Sequence, residues 1–302
     1  MAKTRVLSGI RATGALQLGN YLHALTTPFD PTSLRESIRN VFVDYLSAGL
    51  DPARSTLFVQ SMVPQHTELF FLLSTATTMA KMQHLPTFKE KVRQHPDHVT
   101  MALFNYPVLM AADILMYKAN LVPVGIDQEP HIEVSREIAR KMNQDYGLDL
   151  PEPQRFATQG EYVPSLTGEG KMSKSVEGSA IFLTDNVETV LKKVRSVPTA
   201  TISGGEKSGG VANLFVFLEL FAPSEVARFE KEYQAETLQF SELKECIADA
   251  ISAFLKPHQE RRAELSKDQA LIDAQMKEGA EKARVVAQDT LNEIKQAMGI
   301  LF

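Results

Sequence analysis

A chain of 302 residues has room for a large core and is long enough for about two domains. Hydrophobic residues make up 44% and charged residues 23%, an ordinary globular mixture, and no apolar run reaches the roughly 18 residues that a membrane span needs. A net charge of −5 excludes a globally basic nucleic-acid binder, so any such partner must be met by a local cationic patch, and a single cysteine, Cys246, excludes an internal disulfide framework. The N-terminus Met1–Thr4 carries no signal-peptide core, and the expectation is a cytoplasmic protein.

In chain order, Arg5–Ile10 reads as a short buried strand, followed by the small-residue turn Arg11-Ala12-Thr13-Gly14. Pro31–Leu50 is expected to be a helix, with Leu34, Ile38, Val41, Phe42 and Tyr45 on one face and Gly49 ending it. Ser55–Gln60 is the second expected strand and Pro64–Met79 the second helix. Tyr106–Ala119 is the third helix, Leu121–Val124 the third strand, and Asp127–Tyr146 a fourth helix with Asp127 as N-cap. Strands alternating with helices point to a parallel sheet covered on both faces. From about Asp185 only helices are expected: Val187–Val194, Val211–Leu220, Glu225–Ala235, Ser241–Leu255 and Gln269–Met298, with a loop composition at Ser203–Gly210.

The strongest chemical signal is Lys171-Met172-Ser173-Lys174-Ser175, which follows Thr167-Gly168-Glu169-Gly170. Two lysines and two hydroxyls on a glycine-flanked loop can clamp a polyanion, the cations meeting phosphate charge and the hydroxyls its oxygens. The alternative for any isolated K-x-x-K is an exposed basic loop. Gly14-Ala15-Leu16-Gln17-Leu18-Gly19-Asn20 follows the first strand and opens a helix, a place where backbone N–H groups and the helix terminus favour a phosphate. No Walker-type loop, G-x-G-x-x-G, G-x-S-x-G elbow or metal-spaced His/Cys cluster is present, and no bound metal is expected from the chain's own ligands.

The third signal is a helix face. Tyr106, Met110, Asp113 and Tyr117 fall at i, i+4, i+7 and i+11, among apolar neighbours Val108, Leu109, Ala111, Ala112, Ile114 and Leu115. A carboxylate in such a run is costly to bury unless something donates to it. Either Asp113 pairs with a Lys or Arg or turns to solvent, or it accepts a hydrogen bond from a polar group on an apolar substrate, an indole N–H or a phenol O–H.

The lysine pentapeptide matches the KMSKS signature of class I aminoacyl-tRNA synthetases, and Gln17-Leu18-Gly19-Asn20 resembles their HIGH signature with both histidines replaced. Tyr106–Leu115 (Y-P-V-L-M-A-A-D-I-L) and Val122–His131 (V-P-V-G-I-D-Q-E-P-H) closely resemble the tryptophanyl-tRNA synthetases, a similarity running across nearly the whole chain. The resemblance implies a Rossmann-like doubly wound sheet at 1–184, which the last helix could rejoin, and an all-helical domain at 185–302 that contacts the tRNA anticodon. It implies that Asp113 meets the indole nitrogen, that Tyr106 and Gln128 hold the ammonium, and that Met110 and His23 line the same tryptophan pocket. Arg11, Ala12, Thr13, Gly19 and Asn20 match the nucleotide-binding turn, Gly125, Ile126 and Asp127 the stretch that takes the ATP ribose, and Val163 the adenine contact. Lys171, Met172, Ser173, Lys174 and Ser175 complete the ATP site. Lys171, Lys174 and Lys91 are the expected catalytic charges, with Lys89 beside Lys91, although Thr87 stands where the family often has glutamine.

Implied as well are ATP as a substrate with Mg²⁺, tRNA(Trp) and tryptophan as partners, no membrane, and a homodimer. A tyrosyl-tRNA synthetase shares both signatures and is the runner-up; a paralogue that does not charge tRNA is a third reading. One departure stands out. After Gly19-Asn20-Tyr21 the family continues its helix and a second strand ending in an aspartate-x-histidine step, whereas this sequence goes directly to Leu22-His23-Ala24. A helical crossover takes at least a dozen residues, so roughly twenty are missing there. Either the sequence as written omits them or the natural chain is truncated there; omission is the expectation, because deleting a central strand would expose its neighbours' backbone groups.

Overall fold

A computed structural model describes residues 4–9, 31–94, 96–157, 163–172, 176–199, 204–207 and 209–301. Helices α1 (Pro31–Ser47), α2 (Gln65–Leu73), α3 (Met79–His84), α4 (Pro86–Gln94), α5 (Met101–Met116) and α6 (Glu129–Tyr146) come first in sequence. Their ends follow local chemistry. Thr78 and Thr100 cap α3 and α5 by accepting from the backbone N–H groups of Lys81 and Leu103. Gly147, at φ +67°, closes α6 by donating to the Asn143 carbonyl, a left-handed turn that favours glycine. Asp127 is not the N-cap that the sequence suggests. A 3₁₀ turn over Ile126–Gln128 precedes α6, Gln128 takes the cap position, and the Asp127 carboxylate accepts from the Gln128 side chain at 2.8 Å.

The sheet is parallel and short. Strand β1 (Leu121–Val122) pairs with β2 (Gln154–Arg155) in parallel register, and Val6 bridges Leu121 on the other side, also in parallel. Leu7 N–H donates to the Leu121 carbonyl at 3.0 Å, and Asn120 N–H to Arg5 at 2.9 Å, so the first expected strand is present beside β1 as a single bridge, but it is not buried: Val6 is 59% exposed. Ser55–Gln60, expected as a strand, is not one: Thr56–Val59 has no strand partner among the described residues and runs into a 3₁₀ turn, Gln60–Met62. A strand exists only through its neighbour's hydrogen bonds, and an alternating apolar pattern cannot supply that neighbour.

After Asp185 come α7 (Val187–Arg195), α8 (Gly209–Phe221), α9 (Val226–Gln234), α10 (Phe240–Leu265) and α11 (Gln269–Ala297). Helix α10 continues through Pro257, ten residues beyond the expected end at Leu255. Its extension is anchored where Arg262 Nε meets Asp44 of α1 at 2.6 Å.

Two large apolar clusters hold these elements. The first gathers Leu69 and Leu73 of α2, Ala111 and Leu115 of α5, Ile138 and Met142 of α6, and Ala283, Leu291 and Ile294 of α11. The second gathers Val190 and Val194 of α7, Leu214, Phe217 and Leu218 of α8, Phe229 and Tyr233 of α9, and Leu243 and Ile247 of α10. Full burial of side chains of this size contributes about 1.5–3 kcal/mol each. Helix α11 thus returns from the C-terminal end to the first cluster. Its Gly279 lies so close to the Leu57 carbonyl that a Cβ there would sit 1.7 Å from the oxygen. Among the described residues no helix is long and apolar enough to cross a membrane.

Candidate active site

Helix α5 presents the expected face. Tyr106, Met110, Asp113 and Tyr117 are each half-buried, while Ala111, Ala112, Ile114, Leu115 and Met116 beside them are closed off in the core. A half-buried stripe on an otherwise buried helix is where a substrate can reach side chains the core cannot hide. Among the described residues, Asp113 pairs with neither Lys nor Arg. Gln60 Nε2 donates to both of its oxygens, at 2.7 and 2.8 Å, and His66 Nδ1 lies 2.6 Å from Oδ1. His66 Nε2 in turn lies 2.8 Å from the Tyr117 hydroxyl. Burial first, and the Asp113 charge second, push the Tyr117 hydroxyl well above the usual phenol range. Asp113 is therefore held as an acceptor by donors from two other segments.

Two turns before Asp113 on α5, the Tyr106 hydroxyl and Thr87 Oγ1 share His131 Nε2, at 2.8 and 3.1 Å. His131 is 1% exposed on α6, so Tyr106 is fixed from behind by a buried ring. The unusual Thr87 reaches this histidine from α4, where Lys89 is exposed and Lys91 half-buried. Met110 packs against Val122 and Ile132, at the end of β1.

That end of β1 leads into Gly125–Gln128. A Cβ on Gly125 would lie 2.5 Å from Asp127 Oδ1 and 3.8 Å from Lys171 Nζ, so glycine leaves room for a carboxylate and an ammonium at the same turn. Lys171 gets there on a hairpin: Met172 N–H donates to Val163 at 2.8 Å, Ser165 N–H to Gly170 at 2.9 Å, and Pro164 bridges Lys171. Gly168 and Gly170, at φ +95° and +72°, make the turn. Leu166, 1% exposed, plugs the hairpin into the second cluster, and Asn213 of α8 donates to the Ser165 carbonyl at 2.8 Å.

The fold thus brings Tyr106, Met110 and Asp113 onto one helix face, and brings Lys171 to Gly125 and Asp127. Val163, the expected adenine contact, pairs at the hairpin base with Met172. Arg11, Ala12, Thr13, Gly19, Asn20, His23, Ser173, Lys174 and Ser175 lie outside the described residues. Among the described residues, no group of three or more His, Cys, Asp or Glu is arranged to hold a metal ion. Sequence reasoning missed Gln60, His66 and His131. His131 closes the quoted V-P-V-G-I-D-Q-E-P-H stretch but carries no signal that it would turn inward, and His66 lies 47 residues from its partner.

A half-buried polar stripe on an apolar helix, and a lysine hairpin at the turn that follows a parallel strand, are the features of an α/β protein that can hold an anionic ligand. The family model described as tRNA synthetases class I (W and Y) matches residues 22–263. A tryptophan–tRNA ligase of Porphyromonas gingivalis is 38% identical over 323 residues, covering 97% of this chain and 98% of that protein. One of Helicobacter pylori is 37% identical over 331 aligned positions, covering all of both chains. The crystal structure of a tryptophanyl-tRNA synthetase from Campylobacter jejuni, complexed with ADP and tryptophan, superposes with a TM-score of 0.82 at 28% identity, covering 98% of this chain and 100% of that one. The chain belongs to the class I tRNA synthetases of the tryptophan and tyrosine group.

Proposed function

We propose that the chain is a tryptophan–tRNA ligase, which joins tryptophan to ATP as tryptophanyl-adenylate and passes the aminoacyl group to the terminal ribose of tRNA(Trp). The observation that carries this reading is Asp113, an acceptor on an apolar helix face whose carboxylate is met among the described residues by Gln60 and His66 and by no Lys or Arg. The full-length similarity to tryptophan–tRNA ligases supports it.

The tryptophan carboxylate attacks the α-phosphorus of ATP; a new O–P bond forms, the α–β bridging bond breaks, and pyrophosphate leaves. No enzyme nucleophile takes part, and the chain supplies position and charge. Asp113 accepts from the indole N–H, Met110 and His23 line the ring's pocket, and Tyr106 and Gln128 hold the ammonium. Gly125, Ile126 and Asp127 take the ribose, Val163 the adenine, and Arg11, Ala12, Thr13, Gly19 and Asn20 the nucleotide's phosphate side. Lys171, Lys174 and Lys91 spread the charge of the departing pyrophosphate, with Met172, Ser173 and Ser175 completing the loop. Mg²⁺ would be carried by the nucleotide's phosphates, since the described residues offer it no carboxylate cluster. The sheet is read as Rossmann-like and doubly wound within a catalytic unit at 1–184. The helices of 185–302 contact the anticodon, and the enzyme works in the cytoplasm as a homodimer.

Pyrophosphate exchange with tryptophan, tyrosine and phenylalanine tests the proposal. Tryptophan should be preferred over phenylalanine, because only the indole N–H can join Gln60 and His66 as a donor to Asp113. Asp113→Ala should narrow that gap; a preference for tyrosine, or unchanged ratios in the variant, would refute the assignment of the pocket. A second reading has its own observation. The Helicobacter relative aligns over 331 positions against 302 residues here, and the family match starts at residue 22, one past Tyr21. The difference in length means that this chain carries gaps along the match, and exchange with none of the three amino acids would favour a paralogue that does not charge tRNA.

A further inference from the structure

Asp113 is one end of a three-residue chain whose middle member is His66, a residue the adenylation chemistry does not call on. His66 sits in the first turn of α2, 3% exposed, and its two ring nitrogens bridge Asp113 and Tyr117, which are one helical turn apart on α5. A carboxylate has no proton to give, so Nδ1–H donates to Asp113 Oδ1. In the neutral ring Nε2 is then an acceptor and takes the Tyr117 O–H. The direction of all the protons is set by the partners. The ring itself cannot swing, because Phe58 and Tyr117 pack on it with centroids 6.0 and 5.5 Å away. Asp113 in contrast is 28% exposed: His66 holds Oδ1 from the buried side and the Gln60 amide reaches both oxygens, so a donor arriving from outside must share or displace Gln60 while His66 stays in place.

We propose that His66 is the positioning residue for substrate selection: it fixes the rotation of the Asp113 carboxylate so that a lone pair meets an N–H donor on the substrate's ring, with Tyr117 fixing His66 in turn. This rests on the reading of Asp113 as the indole acceptor. A histidine that merely fills the space between Phe58 and Tyr117 would be replaceable by another ring without any effect on which substrate is chosen.

The test compares tryptophan with its analogue carrying a benzothiophene in place of the indole, which has nearly the same shape and no N–H. Pyrophosphate exchange is measured with the full chain, reading kcat and KM separately for each amino acid and KM for ATP. His66→Phe keeps a ring and removes both hydrogen bonds. It should raise the KM for tryptophan roughly tenfold or more, leave the analogue nearly unchanged, and leave the KM for ATP as it was. His66→Asn, whose amide N–H falls near the place of Nδ1–H, should recover most of the preference for tryptophan. Equal effects of His66→Phe on both amino acids, or no recovery with asparagine, would overturn the proposal. Should the phenylalanine variant fail to fold, Tyr117→Phe keeps every ring and frees Nε2. It should narrow the preference a few-fold, and an unchanged preference overturns the proposal. A wild-type enzyme indifferent to the missing N–H would instead bring down the Asp113 reading, and the role of His66 with it.

Discussion

The two large cores use the same kinds of side chain but are assembled differently. In the second core, α7 to α10 follow one another within 80 residues, and each helix closes its backbone hydrogen bonds on itself. In the first, α2, α5 and α6 meet α11 from the far end of the chain, beside a sheet of two-residue strands. Thr56–Val59 shows the cost of the second plan. Its pattern is that of a strand, yet it lies against Gly279 of α11 instead of in a ladder. Helical structure survives the loss of a distant segment; a strand does not survive the loss of its neighbour. The active site draws on both plans, since Asp113 rides on the first core and the hairpin of Lys171 is seated on the second.

The sharpest way to separate the two cores is through chemistry. If Lys171 acts on the departing pyrophosphate as proposed, Lys171→Ala should lower adenylate formation roughly 10²- to 10³-fold. Tryptophan binding, which belongs to the α5 side, should change little. Normal pyrophosphate exchange by this variant would remove the hairpin from the mechanism. A smaller effect compares two close backbone approaches. A Cβ on Gly279 would meet the Leu57 carbonyl at 1.7 Å, and one on Gly210 would meet the Pro198 carbonyl at 1.9 Å. Overpacking of this kind costs about 1–3 kcal/mol. Gly210→Ala should fall at the upper end in urea unfolding, and Gly279→Ala at the lower end, because a segment outside any ladder can shift. The reverse order would mean that Thr56–Val59 is held as firmly as a helix.

The smallest effect is electrostatic. Lys207, 2.5 Å from Glu230 in the second core, holds that carboxyl below its usual value of 4.5. A depressed acid stabilises the fold above its unfolded pKa, and the contribution disappears as pH falls through the lower folded value. Glu230 is largely exposed, so the effect is below about 1 kcal/mol. Glu230→Gln should lower Tm slightly at pH 7 and converge on the wild type as pH falls below about 4.5, which flattens the acid limb of the Tm-versus-pH curve; a difference that persists in acid would be evidence against the pair.

The same contrast governs what can be read in advance. The last helix, expected at Gln269–Met298, is found at Gln269–Ala297, because periodicity and the Asp268 cap are local facts. Helix α10 was underestimated because Pro257 resembles a stop, and only the distant Asp44 shows why the helix goes on. Asp127 looked like a cap, but the turn before α6 takes its shape from Gly125 and the site around it. The Asp113 face was legible because four residues share a helical period. Its partners were not: Gln60 and His66 come from an irregular segment and a helix start, 53 and 47 residues away, and no spacing rule connects them.

Helix α11 also sets an order in time. Proteins made on the ribosome commonly complete their N-terminal parts first. Here Ala280, Ala283, Ala287, Leu291 and Ile294 complete the core that begins at Val63, so the first core to be translated is the last that can close. The second core, finished with α10, has all its helices before residue 266 and can consolidate while α11 is still being made. Until α11 is made, the part of the first core that it covers stays open, and the nascent chain carries a sticky surface there that chaperones are equipped to shield.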